Sequence, residues 1–168
     1  MISNTILIIS FLLDGILTNY LSYMVSDLSL FTPLLTITSL VLICPFFYKE
    51  KKKYLIYSFV TGVIYDLFYT NLLFFNGLIF LLLGLITLKL YKVFGTGYIK
   101  VLIGIIITIV LYETLTACGI VVFNLVPVTL EKLVYKITHS LLLNLIYGEL
   151  VFIILKFIPK KYLKVSLN

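Results

Sequence analysis

The chain has 168 residues, of which 62% are hydrophobic and only 12% are charged. Soluble domains carry about twice that charged fraction, so this composition excludes an ordinary soluble fold. The net charge of +6 comes from 13 lysines and no arginine, and the lysines lie at the ends of apolar stretches. That placement argues against nucleic-acid binding and favours contact with anionic lipids. We predict an all-α integral membrane protein, with residues 1–168 forming one polytopic membrane domain.

Six apolar stretches approach the roughly 20 residues that a helix needs to cross a bilayer. They run over about 2–24, 31–48, 54–70, 72–91, 99–123 and 130–157. The first stretch contains Asp14, has no lysine ahead of it and lacks a small-residue cleavage site, so we expect a retained helix rather than a cleaved signal peptide. The pattern predicts a bundle of six transmembrane helices.

The lysines predict the direction of these crossings, because positively charged loops stay in the cytoplasm. Eleven of the 13 lysines fall in the 49–53 loop, in the 89–100 region and in the tail from residue 156 onward. If the chain crosses the membrane six times, these three segments all lie on the same side of it. Only Lys132 and Lys136 fall on the other side, and the loops near Asp27 and Asn71 contain no lysine. We therefore expect both termini in the cytoplasm.

Polar residues recur at every fourth position on the first and third predicted helices. The two sets are Ser10, Asp14, Thr18 and Ser22, then Ser58, Gly62, Asp66 and Thr70. This spacing places each set on one helix face, which we expect to turn away from lipid. We call each of these polar faces a seam. A seam then serves either packing within the chain or docking of a partner. For the acids, structural hydrogen bonding, partner docking and ion or proton translocation all remain open.

The fifth and sixth predicted helices carry a further intramembrane polar group, formed by Glu113, His139 and Asn144. Counting residues along two antiparallel helices places Glu113 between the other two in depth, so we expect a hydrogen bond between Glu113 and His139. Asp14, Asp66 and Glu113 each fall in the first member of a helix pair. The chain is therefore interpreted as three helical hairpins.

Motifs that carry catalysis are absent from the sequence. It contains no His-Glu-x-x-His, no Gly-x-Ser-x-Gly and no phosphate-binding loop, and it has a single histidine. One histidine cannot form a zinc site unless several acids converge on it. We expect no enzyme activity, no cofactor and no metal.

The stretch from Phe59 to Gly77 reads FVTGVIYDLFYTNLLFFNG and precedes a long apolar helix. It resembles the central signature of the rod shape-determining protein MreD family, in which a Gly-x-x-x-Asp helix is followed by a short loop and another span. The early Phe-Leu-Leu-Asp14 helix, Pro33 and the lysine tail also fit. The family often has small residues and a second glycine after the aspartate, where this chain has Phe68, Tyr69, Leu72 and Leu73.

The resemblance implies a non-catalytic subunit of the bacterial complex that directs cell-wall synthesis during elongation. It implies a location in the cytoplasmic membrane and a single-span MreC-like partner, with MreB-like filaments and wall synthases reached indirectly. Lipids, including anionic inner-leaflet lipids, are further expected contacts. The family is similar in fold to the six-helix S components of energy-coupling-factor transporters.

A vitamin-binding S component is therefore the alternative function. It is disfavoured because the first helix lacks the alanines that such proteins use for docking, and because the outer loops are too short to cover a ligand. A channel or a proton-coupled carrier is a third possibility.

Overall fold

The described residues of the computed structural model are 2–24, 32–47, 49–70, 72–95, 97–123 and 128–157. They form six α-helices, as expected for apolar segments that must satisfy their backbone hydrogen bonds without water. The helices are α1 (Ile2–Met24), α2 (Leu35–Ile43), α3 (Lys51–Tyr69), α4 (Phe75–Phe94), α5 (Tyr98–Val122) and α6 (Leu130–Phe157), and a 3₁₀ turn over Cys44–Phe47 continues α2. Asp27, Asn71 and the tail lysines Lys160, Lys161 and Lys164 lie outside the described residues.

Four of these helices are long and apolar enough to cross a membrane. They are α1 (over Ile2–Tyr20), α4 (over Phe75–Val93), α5 and α6. The nine-residue α2 is shorter, and α3 begins with three consecutive lysines. The all-helical class is thus confirmed together with four candidate spans. The predicted count of six spans goes beyond what helix length and composition establish.

The predicted boundaries agree closely with the helices at both ends of the chain and differ in the second span. The sequence placed that span over 31–48, whereas α2 begins at Leu35. Pro33 accounts for part of the difference, because the residue before a proline is disfavoured in the helical conformation. The start of α2 therefore lies deeper in the bundle than the sequence predicted.

α2 is the central helix of the bundle. All nine of its residues are buried, and it packs against α1, α5, α6 and, less extensively, α4. A helix that is buried around its whole circumference must be enclosed by other elements, and its hydroxyl side chains must find hydrogen-bond partners there. Its position brings its two ends within reach of side chains from the surrounding helices.

α3 and α4 form the most extensively packed helix pair. Gly62 permits this packing, because a Cβ atom at that position would lie 2.5 Å from the backbone oxygen of Asn76 and 2.8 Å from Cα of Gly77. Gly84 plays the same part further along, where an added Cβ would lie 2.8 Å from Oγ of Ser58. The predicted seam on α3 therefore faces α4 of the same chain.

Candidate functional site

Asp14 lies in the middle of α1 and is 1% exposed. Its Oδ1 accepts a hydrogen bond from the backbone N–H of Leu35 at 2.7 Å. Its Oδ2 accepts from the backbone N–H of Thr36 at 2.9 Å and from Oγ1 of Thr36 at 2.5 Å. Leu35 and Thr36 open α2, and the first N–H groups of a helix have no acceptor within that helix. Asp14 therefore caps α2 from a neighbouring helix and faces the positive end of its dipole.

Asn144 on α6 holds the same end of α2. Its Oδ1 accepts from the backbone N–H of Leu34 at 2.9 Å, while its Nδ2 donates to the backbone oxygens of Thr32 at 3.2 Å and Ser140 at 2.7 Å. Asn144 is fully buried. The start of α2 is thus fixed by one side chain from α1 and one from α6.

A cluster of three hydroxyl groups joins the same helices further along. Ser10 lies 2.5 Å from Ser39 and 2.6 Å from Tyr147, and Ser39 lies 3.0 Å from Tyr147, measured between hydroxyl oxygens. Ser10 belongs to the seam predicted on α1, whereas neither Ser39 nor Tyr147 was predicted. A serine and a tyrosine within apolar helices carry no local signal that they will meet.

Asp66 on α3 repeats the arrangement of Asp14 and is also 1% exposed. Its Oδ1 accepts from Oγ1 of Thr70 at 2.8 Å and from both the side-chain and backbone nitrogens of Asn76, at 2.8 and 3.2 Å. Its Oδ2 accepts from the backbone N–H of Gly77 at 3.2 Å. Asn76 and Gly77 lie in the first turn of α4. Asp66 therefore caps α4 as Asp14 caps α2.

Asn76 extends this site to α5, because its Oδ1 accepts a hydrogen bond from the hydroxyl of Tyr112 at 3.0 Å. Neither residue was identified from the sequence. The sequence held a weak indication of the contact with Asn76. Asn76 and Gly77 follow Asp66 by 10 and 11 residues, near the start of the helix predicted over 72–91. Three helices are thus joined through one buried carboxylate and one amide.

Glu113 on α5 is buried like the two aspartates but bonds differently. Its side chain is 0% exposed, and its Oε2 lies 2.9 Å from Nζ of Lys136 on α6, whose side chain is 36% exposed. Besides this contact with the Lys136 ammonium, no donor within the described part of the chain makes a hydrogen bond to either carboxylate oxygen. Glu113 therefore balances a charge on the next helix and caps no helix start.

The expected hydrogen bond between Glu113 and His139 was wrong. His139 is half-buried, and its Nδ1 lies 2.8 Å from the backbone oxygen of Tyr135, with the two rings in contact at a centroid distance of 3.9 Å and tilted by 38°. The long side chain of Lys136, one turn nearer the start of α6, reaches Glu113 instead. Asn144 faces the start of α2, so the three residues do not form one group.

Ser10 and Asp14 on the predicted α1 seam face the interior of the bundle, and Thr18 does not. Thr18 is exposed, and its hydroxyl donates back to the backbone oxygen of Asp14 at 2.7 Å. Four residues turn a helix by about 400°, so a fourfold series drifts by about 40° per step, and on α1 this drift has carried it off the buried face by Thr18. On α3, Ser58, Gly62 and Asp66 are buried and Thr70 is half-buried. The side chain of Ser22 lies outside the described residues.

Comparison with known families decides the identity of the chain. The family model described as rod shape-determining protein MreD matches residues 1–165. The chain belongs to the MreD family. No curated protein and no solved structure gave a match. Membership and the four apolar helices together make this a multi-pass membrane protein of the rod shape-determining type.

The two aspartates have limited capacity for further chemistry. All four of their carboxylate oxygens already accept hydrogen bonds from α2, α4 or Thr70. Over the described ranges, no group of three histidine, cysteine, aspartate or glutamate side chains converges as a metal site would require. The geometry of Asp14 and Asp66 is that of structural capping groups placed inside a helical bundle.

Proposed function

We propose that this chain is a non-catalytic membrane subunit of the rod-shape complex and acts as a scaffold for cell-wall synthesis. The observation that carries the proposal is the match to the MreD family over essentially the whole chain. The buried acids support it, because Asp14 and Asp66 are engaged in holding helices together. No observation favours the alternative of a vitamin-binding S component.

The proposed topology has six crossings of the bacterial cytoplasmic membrane, with both termini in the cytoplasm. α3 has 19 residues, and at about 1.5 Å per residue it is roughly 28 Å long, close to the hydrocarbon thickness of about 30 Å. Its lysines at 51–53 are exposed and can remain among headgroups. The lysine-rich side faces the cytoplasm and its anionic lipids in this arrangement.

Cysteine labelling in intact cells tests this topology. Cysteines introduced at Lys51 and Lys161 should be protected from a membrane-impermeant reagent, while cysteines at Asp27 and Asn71 should react. The native Cys44 and Cys118 are first replaced by serine to remove background. Labelling at Lys51 from outside would contradict the six-span topology.

The proposed partner is a single-span MreC-like protein, through which the chain reaches MreB-like filaments and wall synthases indirectly. This chain contributes a rigid bundle in the membrane plane. A buried carboxylate whose two oxygens both accept hydrogen bonds from the start of the next helix favours such a structural role over ion or proton translocation, which requires a group that can exchange partners.

Depletion in a rod-shaped host tests the function. Cells should become wider and rounder as the protein is lost, and the wild-type chain expressed from a second copy should restore rod shape. Vitamin uptake measured in the same cells provides the comparison with the alternative. Normal shape combined with loss of vitamin uptake would contradict the scaffold function and favour the transporter subunit.

A further inference from the structure

α5 and α6 are in close contact at one end of the pair and separate towards the other. Where α5 begins, an added Cβ at Gly148 would lie only 2.6 Å from Cδ1 of Ile105. Towards the opposite end, the buried residues of α5 finish at Thr116, and those of α6 begin only at Ser140. The last two turns of α5 and the first turns of α6 therefore leave space between them.

A groove of about 320 Å³ occupies this space, and we call it the α5–α6 groove. Its walls are Thr114, Ala117, Cys118, Val121 and Val122 on α5, and Val128, Thr129, Leu130 and Leu133 at the start of α6. The α5 wall spans eight residues, which is about 12 Å along the helix axis. Glu113 directly precedes this wall, so its ion pair with Lys136 lies at the deep end of the groove.

The chemistry of the walls selects an apolar occupant. Most of the lining side chains are aliphatic, and the two hydroxyl groups among them are already bonded. Thr114 donates to the backbone oxygen of Val110 at 2.7 Å, and Oγ1 of Thr129 accepts from the backbone N–H of Lys132 at 3.4 Å. A water molecule needs two to four polar partners, so apolar cavities hold water poorly. The groove is suited to hydrocarbon.

The volume of the groove distinguishes between apolar occupants. A helix about 10 Å across would fill roughly 900 Å³ over a length of about 12 Å, which is far more than the groove contains. A hydrocarbon chain about 4 Å thick, as the contact distance between carbon atoms implies, would fill roughly 150 Å³ over the same length. Lipid tails surround this part of α5 and α6 in a membrane. The groove therefore fits one or two lipid chains.

A lysine lies at the outer end of the groove. In the proposed topology only Lys132 and Lys136 fall on this side of the membrane, and Lys136 is paired with Glu113. Lys132 is exposed, no described acid pairs with it, and it lies one turn before Lys136 on the side of α6 that faces α5. Glu131 is turned by about 155° from the mean direction of the groove-lining residues of α6, because each residue turns a helix by about 100°. The charge beside the groove is therefore positive.

We propose that the α5–α6 groove binds an acyl chain of an anionic phospholipid whose phosphate contacts the ammonium of Lys132. The lipid belongs to the leaflet opposite the lysine-rich loops, and this leaflet assignment rests on the proposed topology. The anionic lipids expected beside the lysine-rich loops lie in the other leaflet, so this is a separate site. The bound chain fills the space that the two helices leave between them.

Crosslinking with a photoreactive lipid tests the position of the acyl chain. The purified full chain is reconstituted with phosphatidylglycerol that carries a diazirine on one acyl chain, and adducts are mapped by mass spectrometry. Adducts within 114–122 and 128–133 should exceed severalfold those on the exposed face of α3, at Ile56, Val60 and Leu67. Equal adducts on the two surfaces would overturn the proposal.

Alkylation of Cys118 supplies a matched control, because Cys118 is exposed in the groove whereas Cys44 is buried. A bulky maleimide attached to Cys118 before reconstitution should reduce the groove adducts severalfold. Cys118→Ser protein treated with the same reagent should retain them. Unchanged adducts after complete alkylation, checked by intact mass, would show that the chain lies elsewhere.

Competition between unlabelled lipids tests the headgroup contact. Excess phosphatidylglycerol should suppress the groove adduct about fivefold more effectively than excess phosphatidylcholine, as expected for one lysine at a membrane surface. Lys132→Gln should abolish this difference, and Glu131→Gln should preserve it. A difference that persists in the Lys132→Gln variant would overturn the assignment of Lys132.

A photoreactive residue in place of Val121 tests for other occupants in living cells. It should give an adduct with the mass of a lipid, and an adduct with a second copy of this chain or with another protein would overturn the proposal. Depletion separates this inference from the proposed function. Rounded cells together with no lipid adduct in the groove would reject only the lipid site, whereas normal cell shape together with a groove adduct would reject only the function.

Discussion

The α1–α2 and α3–α4 hairpins use a buried acid in one way, and the α5–α6 hairpin uses it in another. Asp14 and Asp66 accept backbone N–H groups at the starts of α2 and α4, whereas Glu113 faces the ammonium of Lys136. The residues that open the helices explain the difference. The cap residues of α2 and α4 are Leu34 and Phe74, which have no side-chain acceptor.

α6 begins differently, because Thr129 supplies its own local cap. The Oγ1 of Thr129 accepts a hydrogen bond from the backbone N–H of Lys132 at 3.4 Å. The acid on the preceding helix is then not needed for capping. A helix that starts at membrane depth behind an apolar residue requires a remote acceptor, since no water is available there.

The largest effect is expected from removing a remote cap. Asp66→Leu leaves the N–H groups of Asn76 and Gly77 without an acceptor, and each unsatisfied buried donor destabilises by about 1–3 kcal/mol. We expect a loss of about 3–5 kcal/mol in the free energy of unfolding measured in lipid or detergent. Asp14→Leu should behave similarly, because it exposes the N–H groups of Leu35 and Thr36 to the same penalty.

Asp66→Asn is the matched control for this experiment. It retains one acceptor oxygen and nearly the same shape, so its loss should be less than half that of Asp66→Leu. A leucine variant as stable as the wild type would show that α4 does not depend on the cap. That result would remove the distinction between the α1–α2 and α3–α4 hairpins, whose acids cap a helix, and the α5–α6 hairpin, whose acid pairs with a lysine.

An intermediate effect is expected at the glycine that brings α3 against α4. Gly62→Ala places a Cβ atom 2.5 Å from the backbone oxygen of Asn76, which cannot rotate away. Overpacking of this kind destabilises by about 1–3 kcal/mol. Gly104→Ala is the control, since its Cβ would lie at an ordinary 3.6 Å from Val41. Thermal unfolding should separate the two variants, and equal melting temperatures would contradict the close approach of these helices.

The smallest effect is expected from Glu113→Gln in the α5–α6 hairpin, and the two members of the ion pair should respond differently. Lys136→Met leaves a fully buried carboxylate without its countercharge, whereas Glu113→Gln leaves a lysine that is 36% exposed and can extend towards the headgroups. We expect the lysine variant to lose about 2 kcal/mol of unfolding free energy and the glutamine variant less than about 1. The reverse order would show that Lys136, rather than Glu113, is the residue more dependent on the pair.

Much of the fold and part of the site could be predicted from the sequence. The apolar runs predicted five of the six described helices to within about three residues at each end and placed the start of α2 too early, and the acids were found because a charged group within such a run is conspicuous. Asn76, Tyr112, Ser39 and Tyr147 were missed, because their polar groups meet only after separate helices pack. Thr18 lies outside the buried face of α1 and His139 lies away from Glu113, because periodicity alone gave their direction and the packing of α1 and α6 changes along their length.

The sequence by itself determined that this chain is helical, belongs in a membrane and is a member of the MreD family. These properties follow from hydrophobicity and from local motifs, which are written in consecutive residues. Only the tertiary structure decided what each acid does. Whether a carboxylate caps a helix or pairs with a lysine depends on which element starts beside it and at what depth. Packing decides both, because it brings together residues that are 10 to 23 positions apart in the chain, such as Asp66 with Asn76 and Glu113 with Lys136.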